Sequence, residues 1–127
     1  MPEDQVFTTK GAPIPRGPYV HARKHGGLVW VTGQIGRDPD TGDFVKGGFE
    51  AEFNQAIDNL KAILEAAGSS LANVVRTNVY LSDMGNFAAM NEVYATYFQA
   101  PYPARTTIQA AALPGGIAVE IDCVARR

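Results

Sequence analysis

The sequence predicts an α+β domain in which two helices cover one face of a β-sheet. Two observations carry this prediction. Two stretches repeat apolar residues at intervals of three and four, and the segments around them are rich in β-branched and apolar residues. The resulting order is β-rich, helix, β, helix, β, β. A chain of 127 residues, 46% of them hydrophobic and 19% charged, is long enough for one packed domain over 1–127.

The first third of the chain is predicted to be irregular and then extended. Residues 11–18, GAPIPRGP, contain too much glycine and proline for regular structure, so we predict an irregular arm. A strand is predicted over 19–24 and a stronger one over 28–35. Because the second strand is apolar on both alternating faces, we expect it to be buried on both sides. Turn residues in RDPDTGDFVKGG then predict a hairpin or loop.

Two amphipathic helices are predicted. The first begins at Phe49 and ends where Gly68 is expected to act as its C-cap. The polar residues off its apolar stripe are Glu52, Gln55, Asn59 and Lys61. The second spans about 86–99 and is stopped by Pro101 and Pro103. The aromatic stripe of the second helix is most simply explained as part of the core, and so is Trp30 on the strand predicted over 28–35.

Three further strands are predicted over 73–81, 105–112 and 117–125, with PGG as the turn between the last two. That turn would place the last two strands side by side. Two helices can cover only one face of such a sheet, and the other face mixes small, apolar and hydrogen-bonding residues. We therefore expect subunits to pack sheet to sheet, with polar residues of that face lining a site at the interface.

Arg105 and Glu120 are charged residues inside predicted strands. Arg105 follows Pro103, so its reach is limited, and a guanidinium there can hold a carboxylate by two parallel hydrogen bonds. Glu120 stands between Val119 and Ile121, where partial desolvation raises a carboxyl pKa and favours proton transfer. An ion pair between the two residues explains both charges equally well.

The other reactive side chains are expected to be structural. His21 and His25 are four residues apart without further ligands nearby, so we expect no metal site. Cys123 lies on an apolar strand face and is expected to be a buried thiol. Ser69 and Ser70 follow Gly68 and read as a helix end rather than a nucleophile. No phosphate loop or dinucleotide fingerprint is present, so we expect no cofactor.

Charge and hydropathy limit which partners and which cell compartment are expected. A net charge of −2 gives no electrostatic reason to expect nucleic acid or an anionic membrane as a partner. No segment approaches the run of about 18 apolar residues that a membrane span needs. The acidic, polar N-terminus has no apolar signal region, and the single cysteine suits a reducing compartment. We expect a cytoplasmic protein.

Several motifs together resemble one family. They are GPYVHA at 17–22, VTGQIG at 31–36, NLKAILEAAGSSLANVVRTNVYLSDM at 59–84, FAAMNEVYATYF at 87–98, PART at 103–106 and VEI at 119–121. In this order and without a large gap, they resemble the RidA/YjgF family of enamine/imine deaminases over nearly the whole chain. TGQ alone would mean little, whereas the run NEVYATYF…PYPART is highly specific.

The resemblance implies a fold, an assembly and a reaction. The fold would be chorismate-mutase-like, with a mixed β-sheet and two helices on one face, assembling as a homotrimer whose sites lie between subunits. The reaction would be hydrolysis of 2-aminoacrylate and related 2-imino acids to 2-keto acids and ammonia. Such substrates carry a carboxylate beside an electrophilic C=N bond, and the family needs neither a metal nor a covalent nucleophile.

The resemblance also assigns residues. Arg105 would clamp the substrate carboxylate with help from the backbone around Thr107, and Glu120 would position and deprotonate the attacking water. The residues that match pocket-forming positions are Tyr19, Asn91 and Thr32, the last standing where many members have serine.

Two departures leave alternatives open. His21 stands where glutamine is common, and Thr107 where cysteine is common. A specialised deaminase of the 2-aminomuconate type is one alternative. A binding protein that has lost catalysis is another. The third is a ribonuclease, a label that many members carry and that would require a basic, base-stacking surface.

Overall fold

The computed structural model describes residues 5–127, which form one mixed β-sheet with two α-helices on one face. The strands are β1 Gln5–Phe7, β2 Ala22–His25, β3 Leu28–Gln34, β4 Val74–Leu81, β5 Ala104–Gln109 and β6 Val119–Arg126. The helices are α1 Phe49–Ala66 and α2 Phe87–Tyr97. The α+β prediction is therefore confirmed. No helix within 5–127 combines the length and the apolarity that crossing a membrane requires.

The strand order in the sheet is β1-β2-β3-β6-β4-β5. Only β4 and β5 run parallel, because α2 connects them as a crossover, and every other pair is antiparallel. The expectation that the last two strands lie side by side is wrong, because β4 separates β5 from β6. By entering between β3 and β4, β6 gains a hydrogen-bonded ladder on both of its edges.

The helices follow the sequence prediction closely. Gly68 adopts φ +82°, and the Ser69 N–H donates to the carbonyl of Leu64, so α1 ends in the expected glycine cap. The strand predicted over 19–24 is shorter and shifted, since β2 starts at Ala22. Residues 11–18 form neither helix nor strand, as predicted. The short β1 had no counterpart in the sequence prediction.

The core lies between the helices and one face of the sheet. The residues that are fully buried there include Ile57, Leu60 and Leu64 of α1, Val79 of β4 and Ile121 of β6. On the opposite face the side chains of β3, β4 and β6 remain partly accessible. Trp30 is 47% exposed there, so the expectation that β3 is buried on both sides, with Trp30 in the core, is wrong for the single chain.

Asn59 is a buried polar residue that the periodicity of α1 did not predict. It is 1% exposed, and its Nδ2 donates to the carbonyl oxygens of Ile35 (3.1 Å) and Arg37 (2.9 Å). Its Oδ1 accepts a hydrogen bond from Gln55. Through these contacts α1 holds the irregular segment that follows β3, where no neighbouring strand is available to satisfy the two carbonyls.

We predict that Asn59→Ala lowers the free energy of unfolding by about 1–3 kcal/mol, because the Arg37 carbonyl loses the Asn59 donor and the Ile35 carbonyl retains only the Arg37 N–H. Urea denaturation monitored by circular dichroism measures this change. Gln55→Ala is the matched control, since it removes only the bond to Asn59 and should cost less than about 1 kcal/mol. An Asn59→Ala variant that unfolds at the wild-type midpoint would contradict the assignment.

Candidate active site

The sheet places Arg105 and Glu120 far apart within one chain. Arg105 pairs with Thr77 of β4, whereas Glu120 pairs with Tyr80 on the other edge of the same strand. They also face opposite sides of the sheet, because Arg105 points toward α2 and its guanidinium lies 4.8 Å from the centre of the Tyr94 ring. Glu120 alternates with core residues and points to the open face. An ion pair between them is therefore excluded within the chain.

Arg105 lies in a pocket between β5 and α2. The cavity measures about 390 Å³ and is lined by Asn91, Tyr94, Ala95, Tyr102, Pro103 and Arg105. No carboxylate in the part of the chain that the structure describes pairs with the guanidinium, which instead stacks on the Tyr94 ring. A guanidinium carries five N–H donors, so this pocket presents donors for an anionic ligand.

The Tyr94 ring is itself held rigidly beneath the guanidinium. Its hydroxyl shares a 2.8 Å hydrogen bond with the buried Thr77 side chain, and its ring stacks on Phe98 at 4.4 Å. Burial raises the pKa of Tyr94, although the Thr77 hydrogen bond and the Arg105 charge act in the opposite direction. Tyr94 thus provides a neutral, fixed platform, and cation–π attraction keeps Arg105 oriented.

Thr107 follows two residues after Arg105 and shares its face of β5. Its Oγ1 is buried without a hydrogen-bond partner in residues 5–127. Since β5 is an edge strand, its outer backbone groups pair with no strand of the described chain and are free to bind a ligand. The structure therefore brings Arg105, Asn91 and the backbone around Thr107 to one edge of the molecule.

Glu120 lines a second cavity, of about 290 Å³, on the other side of the sheet. Its lining includes Tyr19, His21, Gly33, Pro114 and Glu120. Gly33 allows the carboxyl group to lie against the β3 backbone, because a Cβ at this position would overlap Glu120 Oε2. The register of β3 against β6 shifts between Val31 and Gln34, and this bulge aims the Gly33 backbone at the carboxyl group.

Burial and a neighbouring charge tune Glu120. Desolvation raises its pKa above the ordinary 4.5, and the negative charge of Asp122 on the same strand face adds to the shift. Asp122 is fixed in turn, since it accepts hydrogen bonds from Asn78 Nδ2 at 2.9 Å and from the Tyr80 hydroxyl at 2.8 Å. Burial, followed by that hydrogen bond, raises the pKa of Tyr80 to about 12.

Glu52 of α1 supports the same strand from the helix side. Its Oε2 accepts hydrogen bonds from the backbone N–H groups of Ala118 (2.8 Å) and Val119 (2.9 Å), immediately before Glu120. A carboxylate that accepts two backbone bonds fixes the beginning of β6. Helical periodicity placed Glu52 only on a polar face, and no sequence signal identified this contact.

The remaining pocket candidates lie on the Glu120 side. Tyr19 is 50% exposed, and its hydroxyl accepts a hydrogen bond from the Arg16 N–H at 3.2 Å. It lines both the Glu120 cavity and an adjoining groove that includes Thr32. The six candidate residues therefore divide into two half-sites. The first contains Arg105, Thr107 and Asn91, and the second contains Glu120, Tyr19 and Thr32.

His21 has a structural role that the sequence did not show. It is 1% exposed, its Nε2 bonds to the Pro13 carbonyl at 2.7 Å, and its Nδ1 accepts from the Thr9 N–H at 3.1 Å. These bonds define the tautomer that carries the proton on Nε2 and pin the irregular arm over the second half-site. No group of three or more His, Cys, Asp or Glu residues within 5–127 is arranged to hold a metal ion.

Cys123 and Ser69 are structural, as predicted. Cys123 is 2% exposed, and burial, assisted by the Asp122 charge, raises its pKa far above the ordinary thiol value. Ser69 Oγ donates to the Arg126 carbonyl at 2.6 Å, which ties the end of α1 to the end of β6. Neither side chain lines a half-site.

The fold and these pockets define a small α+β protein with an arginine pocket and a carboxyl pocket on opposite faces of its sheet. Residues 9–127 match the family described as Endoribonuclease L-PSP. The chain belongs to this family, which includes the RidA/YjgF proteins, so the resemblance found in the sequence is confirmed.

Three similar proteins illustrate the match. The 2-iminobutanoate/2-iminopropanoate deaminase of Mus musculus is 46% identical over 121 residues, covering 95% of this chain and 90% of that protein. The crystal structure of RidA from an Antarctic Psychrobacter species superimposes with a TM-score of 0.93 at 45% identity, covering 97% and 99% of the two chains. E. coli TdcF with bound serine gives 0.91 at 36% identity, covering 97% and 98%.

The raised pKa of Glu120 predicts a pH-dependent effect of Glu120→Gln on stability. Above the carboxyl pKa of the unfolded chain, the unfolded state releases a proton that the folded state still holds. The free energy of unfolding of the wild type therefore falls as pH rises through this interval, and that of the variant lacks this contribution. Urea titrations from pH 4 to 8 should show the variant gaining relative stability as pH rises. A constant difference across the range would contradict the shift.

Proposed function

We propose that this protein is a deaminase that hydrolyses reactive 2-enamine and 2-imino acids, such as 2-aminoacrylate and 2-iminopropanoate, to 2-keto acids and ammonia. The observation that carries this proposal is the Arg105 guanidinium, which is held on an aromatic ring in a pocket without an internal carboxylate partner. The 46% identity to a 2-iminobutanoate/2-iminopropanoate deaminase supports it.

In this mechanism Arg105 holds the substrate carboxylate by two parallel hydrogen bonds, aided by the backbone around Thr107. An enamine substrate first becomes the imine, by gaining a proton on carbon and losing one from nitrogen. Glu120 then accepts a proton from the water that attacks the C=N carbon and passes it to the nitrogen, which gives a carbinolamine. The hydroxyl proton of that carbinolamine next moves through Glu120 to the nitrogen, so that the C=O bond forms, the C–N bond breaks and ammonia leaves. A carboxyl group with a raised pKa suits these proton transfers. Imines are already electrophilic, so orientation and one positioned acid–base group suffice without a cofactor. Tyr19, Thr32 and Asn91 shape the walls.

The complete site forms between two copies of the chain. One chain alone presents the arginine and carboxyl half-sites on opposite faces of its sheet. Pairing the arginine half-site of one copy with the carboxyl half-site of the next gives a closed ring of like sites, and we propose a homotrimer. Serine, the ligand bound to E. coli TdcF, has an α-carboxylate of the kind that Arg105 binds in this proposal.

Substitution of either charged residue should abolish most turnover. A coupled dehydratase generates 2-aminoacrylate in situ, and semicarbazide trapping reports how much imine survives. Arg105→Ala should lower kcat/KM at least about 100-fold, because two charge-assisted bonds of about 1.5–3 kcal/mol each are lost. Glu120→Gln should lower kcat about 10²–10⁴-fold. Wild-type protein that binds 2-oxobutanoate without reducing trapping would instead identify a non-catalytic binding protein.

Coexpression of Arg105→Ala and Glu120→Gln chains tests whether the sites form between copies. When the two chains assemble at random, about a quarter of the sites should contain both intact groups. Activity should therefore return to about a quarter of the wild-type value. Coexpression of Arg105→Ala chains with the double variant is the control, since no site can then contain arginine. A mixture as inactive as its parents would show that both residues act within one chain or not at all.

A further inference from the structure

Two arginines converge at one end of the Glu120 cavity. Arg16 and Arg37 both line it. Arg37 Nη1 donates to the Gly42 carbonyl at 2.6 Å, and Arg16 Nη2 lies 2.7 Å from the place that a Cβ on Gly42 would occupy. Gly42 adopts φ +78°, a conformation that glycine favours, and it leaves room for the Arg16 side chain.

Within the described residues, no ion pair partners these two arginines. Neither guanidinium forms an ion pair with a carboxylate of residues 5–127, and that includes Glu120 in the same cavity. In the acidic loop nearby, Asp38 Oδ1 accepts backbone bonds from Asp40 (2.8 Å) and Thr41 (3.1 Å), and no carboxylate of this loop forms an ion pair with either arginine. Two like charges brought to one residue repel each other, and a bound anion would relieve the repulsion.

Arg37 is held in place before any ligand binds. Its guanidinium stacks over the Phe44 ring at 4.0 Å, and the same ring lies against Gly115 in the turn before β6. The backbone of Arg37 is fixed too, because its carbonyl accepts the buried amide of Asn59. A preorganised guanidinium loses little conformational entropy when it binds an anion, so its hydrogen bonds contribute more to affinity.

We propose that Arg16, Arg37 and the Gly42 turn form a distal anion pocket, which binds a second acidic group of the substrate. The preferred substrates are then 2-imino or 2-enamine acids with a further carboxylate on their side chain, rather than short monocarboxylic ones. Assigning the ligand as a substrate rests on the proposed deaminase function. The anion pocket itself rests only on the two arginines.

The cavity has the shape that such a substrate requires. Glu120 and the two arginines line one space of about 290 Å³, and neither guanidinium forms an ion pair with Glu120. The reacting carbon would lie at the Glu120 end and the second carboxylate at the arginine end.

Other charged and titratable groups near the cavity do not block an anion. Tyr19 is an uncharged lining residue whose hydroxyl accepts from the Arg16 N–H, and both ring nitrogens of His21 are occupied by backbone groups. Asp122 lies on the same strand face as Glu120 and is held by Asn78 and Tyr80. The arginines are thus the only cationic side chains that line this cavity among the described residues.

The test compares two keto acids of equal carbon number by isothermal titration calorimetry. The probe 2-oxoglutarate has a second carboxylate, and 2-oxopentanoate has a methyl group in its place. Wild-type protein should bind 2-oxoglutarate at least about 10-fold more tightly, and Arg16→Gln and Arg37→Met should each reduce that ratio about 10-fold, as loss of one charge-assisted hydrogen bond predicts. The preference should also weaken in high salt.

Lys46→Gln is the matched control, because it removes one positive charge from the same exposed loop without touching the cavity. It should leave the ratio unchanged. Arg37→Met also removes the stack on Phe44, so Arg16→Gln, which changes an exposed side chain, keeps the test valid if the first variant misfolds.

The outcomes separate this inference from the proposed function. A wild-type protein that binds 2-oxoglutarate no more tightly than 2-oxopentanoate would overturn the anion pocket, as would a preference that survives in both arginine variants. Turnover of 2-aminoacrylate together with either result would leave the deaminase proposal intact. An arginine-dependent preference in a protein without turnover would support the pocket and overturn the deaminase.

Discussion

The alternation of side chains along β-strands is the constraint on which the rest of this molecule depends. The helices α1 and α2 cover one face of the sheet, so every second strand residue is committed to the core. Arg105 lies on the helix-covered side and Glu120 on the open side, with β4 between their strands. No side-chain rotation can bring the two together within one chain. A reaction that needs both therefore requires a second copy.

Helix α1 stabilises more than the core. Its apolar stripe packs on the sheet, while Glu52 and Asn59, at the margin of that stripe, bind backbone groups that have no strand partner. Glu52 holds the first residues of β6, and Asn59 holds the segment that leads to Arg37. The segments that carry Arg37 and Glu120 are thus held by α1 side chains from the opposite side of the sheet. Loss of these contacts would disturb the cavity without changing any residue that lines it.

Three charged residues at the two half-sites, Arg105, Arg37 and Glu120, form no ion pair within the described residues. Arg105 rests on a tyrosine ring, Arg37 on a phenylalanine ring, and Glu120 against a glycine backbone. Aromatic rings orient a guanidinium without neutralising it, and a glycine admits a carboxyl group without donating a strong partner. Each group therefore keeps its capacity to bind or to exchange protons. Stability of the core does not require charged groups in these three positions.

The sequence by itself determined the fold class, both helices and the identity of Arg105 and Glu120 as unusual charges, because periodicity and composition are local properties. It could not determine the strand order, since the PGG turn predicted neighbours and the structure inserted β4 between them. It also could not show that Asn59 and His21 are buried. Hydrogen bonds to distant backbone groups decide those positions, and only the tertiary structure brings such partners together. The approach of Arg16 and Arg37 to each other could not be predicted either, because both side chains meet at the Gly42 turn only in the folded chain.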